Sequence, residues 1–183
     1  MKITFELDAG DIDRFHDALA RAERRVACAD ECDIVDAARH ALGHLPIAAA
    51  PGYIRRQIEA VAGLLAMVED DAWALPPPER TQVLRLLAYF SDPDDLIPDD
   101  VEVIGLLDDA IMLELLMKQV RHVVAAYAEF TEARAGLPAA ADSAQRIALA
   151  RTVARLRARL HARMRRRTVR DAVAGIGAAG LGG

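Results

Sequence analysis

Aromatic side chains are scarce, at 4% of 183 residues with a single tryptophan, and runs of β-branched residues are few. That shortage argues against sheets, whose pleated surfaces favour such residues. Long uncharged runs are missing too. The longest, His40 to Ile54, is interrupted by Pro46, Pro51 and Gly52, whereas a membrane-spanning helix needs about 20 mainly apolar residues. No basic segment followed by an apolar one opens the chain, so no secretory signal is expected. Cys28 and Cys32 are the only cysteines, too few for a disulfide framework. A reducing cytoplasm is the expected compartment. The sequence also lacks a Ser/His/Asp order, a nucleotide loop and a glycine-rich phosphate cradle.

What is present is an apolar fraction of 53%, supplied largely by Ala and Leu. Both lose little entropy in a helix, and a chain of this length can bury a core. These features predict an all-α, single-domain bundle of about six helices. One exception opens the chain. Lys2 to Asp8 alternates strictly, with Ile3, Phe5 and Leu7 on one side, the period of a half-buried strand. Residues 1–9 are therefore expected to form an extended arm or strand, lying on the helices or pairing with the same arm of a second copy.

Residues 10–141 read as an acidic helical core. A first helix carries Ile12, Phe15, Leu19 and Val26, and a break near Ala29-Asp30 begins a second with Ile34, Val35, Ala38 and Leu42. A third spans about 53–72, Pro76-Pro77-Pro78 opens a fourth, and a fifth spans roughly 109–133. The fifth is apolar nearly all round from Ala110 to Met117, which predicts a central position. Glu114 and Lys118 form a favourable i,i+4 pair on it. Asp142 with Gln145 resembles a capping box that opens an arginine-rich helix over 142–172. A flexible Gly/Ala tail is expected at 173–183.

The most distinctive stretch, within about 85–130, is Tyr89-Phe90-Ser91-Asp92-Pro93-Asp94-Asp95-Leu96-Ile97-Pro98-Asp99, followed by Gly105-Leu106-Leu107-Asp108-Asp109. It resembles the signature of the YkvA-like family, a bacterial helical domain of unknown function. Pro93, Asp95, Leu96, Ile97, Pro98, Asp99, Gly105, Asp108 and Asp109 fall on that pattern. Asp92, Asp94, Asp100 and Glu102 depart from it, mostly by placing carboxylates where relatives carry apolar or neutral residues.

Two readings of this turn follow from the residues. In the architectural one, Asp92 caps a single helical turn that Pro93 begins and Pro98 ends. Gly105 makes a tight turn, and Asp108 and Asp109 open the central helix. In the chemical one, carboxylates crowded together need solvation, protonation or a cation. Asp95, Asp99, Asp108 and Asp109 are the candidate ligands for Mg²⁺, Mn²⁺ or Ca²⁺.

Two further constellations stand out. Cys28-x3-Cys32 and His40-x3-His44 suggest zinc, but residues 32 and 40 lie about 12 Å apart along one helix, too far for a single tetrahedral site. The cysteines are expected to be small buried residues at a helix junction. Residues 146–170 hold ten arginines and no carboxylate, leaving the remainder with 13 Lys plus Arg against 28 Asp plus Glu, a net of −15. On this helix Leu149, Val153, Leu156, Leu160 and Met164 form one apolar seam. Arg155, Arg159, Arg163, Arg166 and Arg167 form a basic surface. The seam can dock on the acidic body or meet a partner.

The reading that follows is a non-catalytic helical interaction or regulatory module, not an enzyme. It would act by contact with another protein or by self-association. The alternatives are a metal-dependent hydrolase using the Asp-rich turn, and an electrostatic adaptor whose arginine helix meets an anionic membrane surface or nucleic acid.

Overall fold

The computed structural model describes residues 9–44, 52–92 and 113–179. Seven helical stretches account for nearly all of them. They are α1 (Ala9–Cys28), α2 (Glu31–His44), α3 (Gly52–Glu69), α4 (Pro77–Phe90), α5 (113–119), α6 (Arg121–Ala135) and α7 (Ser143–Ala179). No strand occurs among the described residues, as the all-α expectation requires. None of these helices is long and apolar enough to cross a membrane. Residues 1–8 of the expected arm lie outside the described residues, and Ala9 already belongs to α1.

The chain forms two compact units. The first takes in Met1–Ala66 and Pro77–Gln119, the second Met67–Pro76 and Val120–Gly183.

In the first unit α4 packs on both α1 and α2. It can do so because Val83, Leu84, Leu86, Leu87 and Ala88 are all buried. α1 turns its small residues Ala18 and Ala22 inward, and Phe15 meets the Tyr89 ring edge-on at 6.3 Å. Ion pairs flank the packed faces. Arg80 of α4 grips Glu31 with both its Nε, at 2.8 Å, and an Nη. That grip, chiefly its hydrogen bond, holds the Glu31 carboxyl below its usual range against the opposing effect of burial. Arg85 reaches Glu23 at 3.3 Å. The α1–α2 break falls at Ala29-Asp30 as the sequence implies, and the Asp30 carbonyl accepts from the Asp33 and Ile34 amides.

The two cysteines that flank this break are exposed, which corrects the expectation that they are buried. They stand at the last residue of α1 and the second of α2, whereas it is Ile34, Val35 and Ala38 that bury α2.

The central helix also differs from expectation. Glu114 and Lys118 do pair, at 3.3 Å. The helix, however, is interrupted at Val120 (φ −100°, ψ 10°), the position where the second unit begins. Leu113 and Leu116 are buried, but Leu115 is 41% exposed. An all-round apolar surface was therefore no guide to burial on every side.

In the second unit α6 packs on α7. The end of α3 and a turn at 70–76 belong to the same unit. The Asp142 cap is present, with the Gln145 backbone amide donating to Asp142 Oδ1 at 2.7 Å; the returning bond of the box is shifted by one residue, the Ala141 amide donating to Gln145 Oε1 at 2.9 Å. α7 then runs 37 residues to Ala179, continuing through glycines that the sequence assigns to a flexible tail.

Candidate functional site

The core of the second unit is built on the turn after α3. Asp70 organises it by accepting from the amides of Ala72 and Trp73 at 3.0 and 3.2 Å. Its carboxylate is also clasped by Arg134 at 2.8 and 2.9 Å and receives the Tyr127 hydroxyl at 3.2 Å. Burial opposes the charge on Asp70, but these donors outweigh it and keep the carboxyl below its usual range. The same burial, reinforced by the Asp70 charge, raises the Tyr127 phenol. Ala74 turns the chain with φ 45°, so that Trp73 and Leu75 on either side of it point inward and are buried.

Trp73 is fully buried. Its ring lies 4.3 Å from that of His161 in an edge contact and 5.0 Å from that of Phe130. Arg134 caps this cluster, with its guanidinium carbon 5.0 Å from the Phe130 centroid. His161 is 9% exposed, and its Nε2 and the Trp73 Nε1 have no hydrogen-bond partner among the described residues. Desolvation, helped by the charges of Arg157 and Arg165, lowers the His161 pKa to about 4. The ring is therefore neutral at neutral pH.

The ion pairs fix how α6 lies on α7. Arg121 and His122, at the start of α6, both reach Asp171, the latter at 2.6 Å. Farther along α6, Glu129 meets Arg163. The helices are thus antiparallel, and the end of α6 comes level with about residue 157 of α7. At 1.5 Å per residue, the part of α7 before that point extends about 20 Å past α6.

This register gives one stripe of α7 two environments. At about 100° per residue, Leu149, Val153, Arg157, Leu160, His161 and Met164 share one side of the helix. Leu160, His161 and Met164 are buried. Leu149, Val153 and Leu156 remain half-exposed. Leu149, Ala150, Val153, Ala154 and Arg157 form one wall of an open groove of about 610 Å³. Leu137, Pro138 and Ala139 form another wall, and Ala72 and Arg134 also line it. Arg157 ties one end shut by donating to the Ala72 carbonyl at 3.3 Å. Beside the groove, Ile147 is 55% exposed.

The residues singled out by sequence are distributed as follows. Pro93, Asp95, Leu96, Ile97, Pro98, Asp99, Gly105, Asp108 and Asp109 lie outside the described residues, and with them the candidate cation ligands. Asp92 is described, and Arg21 Nε donates to its Oδ2 at 2.7 Å. Next to it Arg25 donates to the Ser91 carbonyl and hydroxyl at 3.1 and 3.2 Å. Two α1 arginines therefore secure the entrance to the aspartate-rich stretch. Arg155, Arg159, Arg166 and Arg167 are exposed, whereas Arg163 is half-buried against Glu129. His40 and His44 lie on one exposed side of α2 with rings 4.0 Å apart. Among the described residues no group of three or more His, Cys, Asp or Glu side chains is placed to hold a metal ion.

The Asp70–Trp73–Tyr127–Arg134–His161 cluster, drawn from distant parts of the chain, has no motif in the sequence. The usable signals were a lone tryptophan just after a helix end and a histidine on the seam side of the arginine helix.

Among known families, one described as "Protein of unknown function (DUF1232)" matches residues 80–115, the stretch that resembles the YkvA-like signature. Within the match, the described residues run from Arg80, paired with Glu31, to Asp92, paired with Arg21, and resume at 113. No curated protein and no solved structure matches the chain.

Proposed function

We propose that this protein is a non-catalytic helical interaction module whose contact surface is the first half of α7. The observation that carries this reading is the open groove beside Leu149 and Val153, on a helix that outruns α6 while keeping the same apolar stripe. A helix commonly binds by laying such a stripe in an apolar groove, and burying apolar surface contributes about 25 cal/mol per Å². The second half of the stripe, closed over Leu160 and Met164, supplies the rigid base that a docking surface needs. On this reading the YkvA-like stretch is a structural element of the first unit, fastened by Arg21, Arg25 and Arg80.

A photo-reactive diazirine side chain tests the reading in the intact chain within its own cells. Placed at position 150, in the groove, it is expected to give protein adducts. At position 155, on the opposite side of α7, it is expected to give few. A second copy and a different protein are told apart by adduct mass. An absence of protein adducts at position 150 contradicts the proposal.

A further inference from the structure

The groove itself specifies what fits it. Resting on the interaction reading above, we propose that its occupant is an acidic amphipathic helix of another protein, seated by its apolar edge with carboxylates on the flank that faces α7. From Leu149 to Arg157 the groove follows α7 for about 12 Å, or about two turns of an opposing helix. Ala72, Ala150 and Ala154 line it, and such short side chains leave room for helix axes to approach to about 8–10 Å. Leu149 and Val153 offer the apolar contact, and each is half-exposed without an occupant.

Charge selects among the possible occupants. Every charged side chain of α7 from Arg146 to Arg170 is an arginine; along this half Arg146 and Arg151 are exposed, whereas Arg155 faces away from the groove. A second copy of α7 would set arginine against arginine, a repulsion that disfavours self-pairing. Carboxylates beside an apolar edge meet the reverse situation and gain attraction along the α7 side. Nucleic acid would answer the charge but has no apolar edge to fill the groove, and α7 has no aromatic side chain between 146 and 170 for base stacking. The two arginines that line the groove are already engaged, Arg134 by Asp70 and Arg157 by the Ala72 carbonyl. An anionic headgroup would therefore have to compete for them.

The test uses the full chain and fluorescence anisotropy of a labelled helical peptide carrying Leu at every third or fourth position and Glu on the flanks. Controls replace Glu with Lys, or Leu with Ser, and 20-base-pair duplex DNA and phosphatidylserine vesicles serve as the other anionic probes. The Glu/Leu peptide is expected to bind about tenfold or more tightly than either control peptide. Ala150→Glu and Val153→Asp should each weaken it about tenfold, and Arg146→Glu with Arg151→Glu should weaken it severalfold at unchanged melting temperature. Ala150→Glu alters an exposed position, so it keeps the test valid if Val153→Asp unfolds the chain. Equal binding of the Lys or Ser control, indifference to Ala150→Glu, or preference for DNA or vesicles overturns the proposal. Protein adducts at position 150 without a preference for the Glu/Leu peptide would discard the acidic-helix partner and leave the interaction reading standing.

Discussion

His161 shows how one buried ring couples this fold to pH. Its folded pKa, about 4, lies below the value of about 6.5 for an unfolded chain. Between those values the unfolded chain binds a proton that the folded chain refuses, so stability falls as pH drops through the window and is fully present above it. From pH 7 to pH 5 this amounts to about 2 kcal/mol. Urea unfolding at the two pH values should show that loss in the natural protein and much less of it in His161→Leu; equal losses in both would remove the ring as the cause. The sequence contains His161 one residue after a seam leucine, a spacing that hints at burial. What it withholds is the partner, because Trp73 comes from a turn far away in the chain. Cys28 and Cys32 teach the converse. Their residue type favours burial, but which side of a helix is covered depends on neighbours that periodicity near a helix end does not fix.

At the scale of elements, local signals were readable where the chemistry is local. The Asp142–Gln145 cap, the Ala29-Asp30 break and the Glu114–Lys118 pair each rest on contacts within a few residues. The interruption at Val120 carries no proline or glycine and coincides with the boundary between the units. The turn at 70–76 is a mixed case. Pro76-Pro77-Pro78 marks it in the sequence, but the residue that bears the unusual backbone is Ala74, at φ 45°. For a residue with a Cβ this region costs about 1–2 kcal/mol. Ala74→Gly relieves that cost, offset in part by the greater freedom of glycine in the unfolded chain. The expected result is a gain of about 0.5–1 kcal/mol in chemical denaturation. A loss of stability would show that the Ala74 methyl group packs better than the backbone angle suggests.

For the whole molecule, composition gave the helical class and the separation of charge gave the special character of α7. The seam was legible as a single apolar stripe. Its division into a buried half and an open half was not, because that depends on where α6 ends against it. The register set by Glu129–Arg163 and by Asp171 with Arg121 and His122 decides this, and such cross-helix pairs leave no mark on spacing along the chain. A helix supported along only part of its length should not be uniformly stable, since an unsupported stretch of about 14 residues is marginal in water. Hydrogen exchange along α7 of the intact protein measures this directly. Amides over 157–171 are expected to exchange only through large-scale unfolding, and those over 146–155 through local opening at far lower free energy. Equal protection of the two halves would mean that the first half is already covered and would contradict the account.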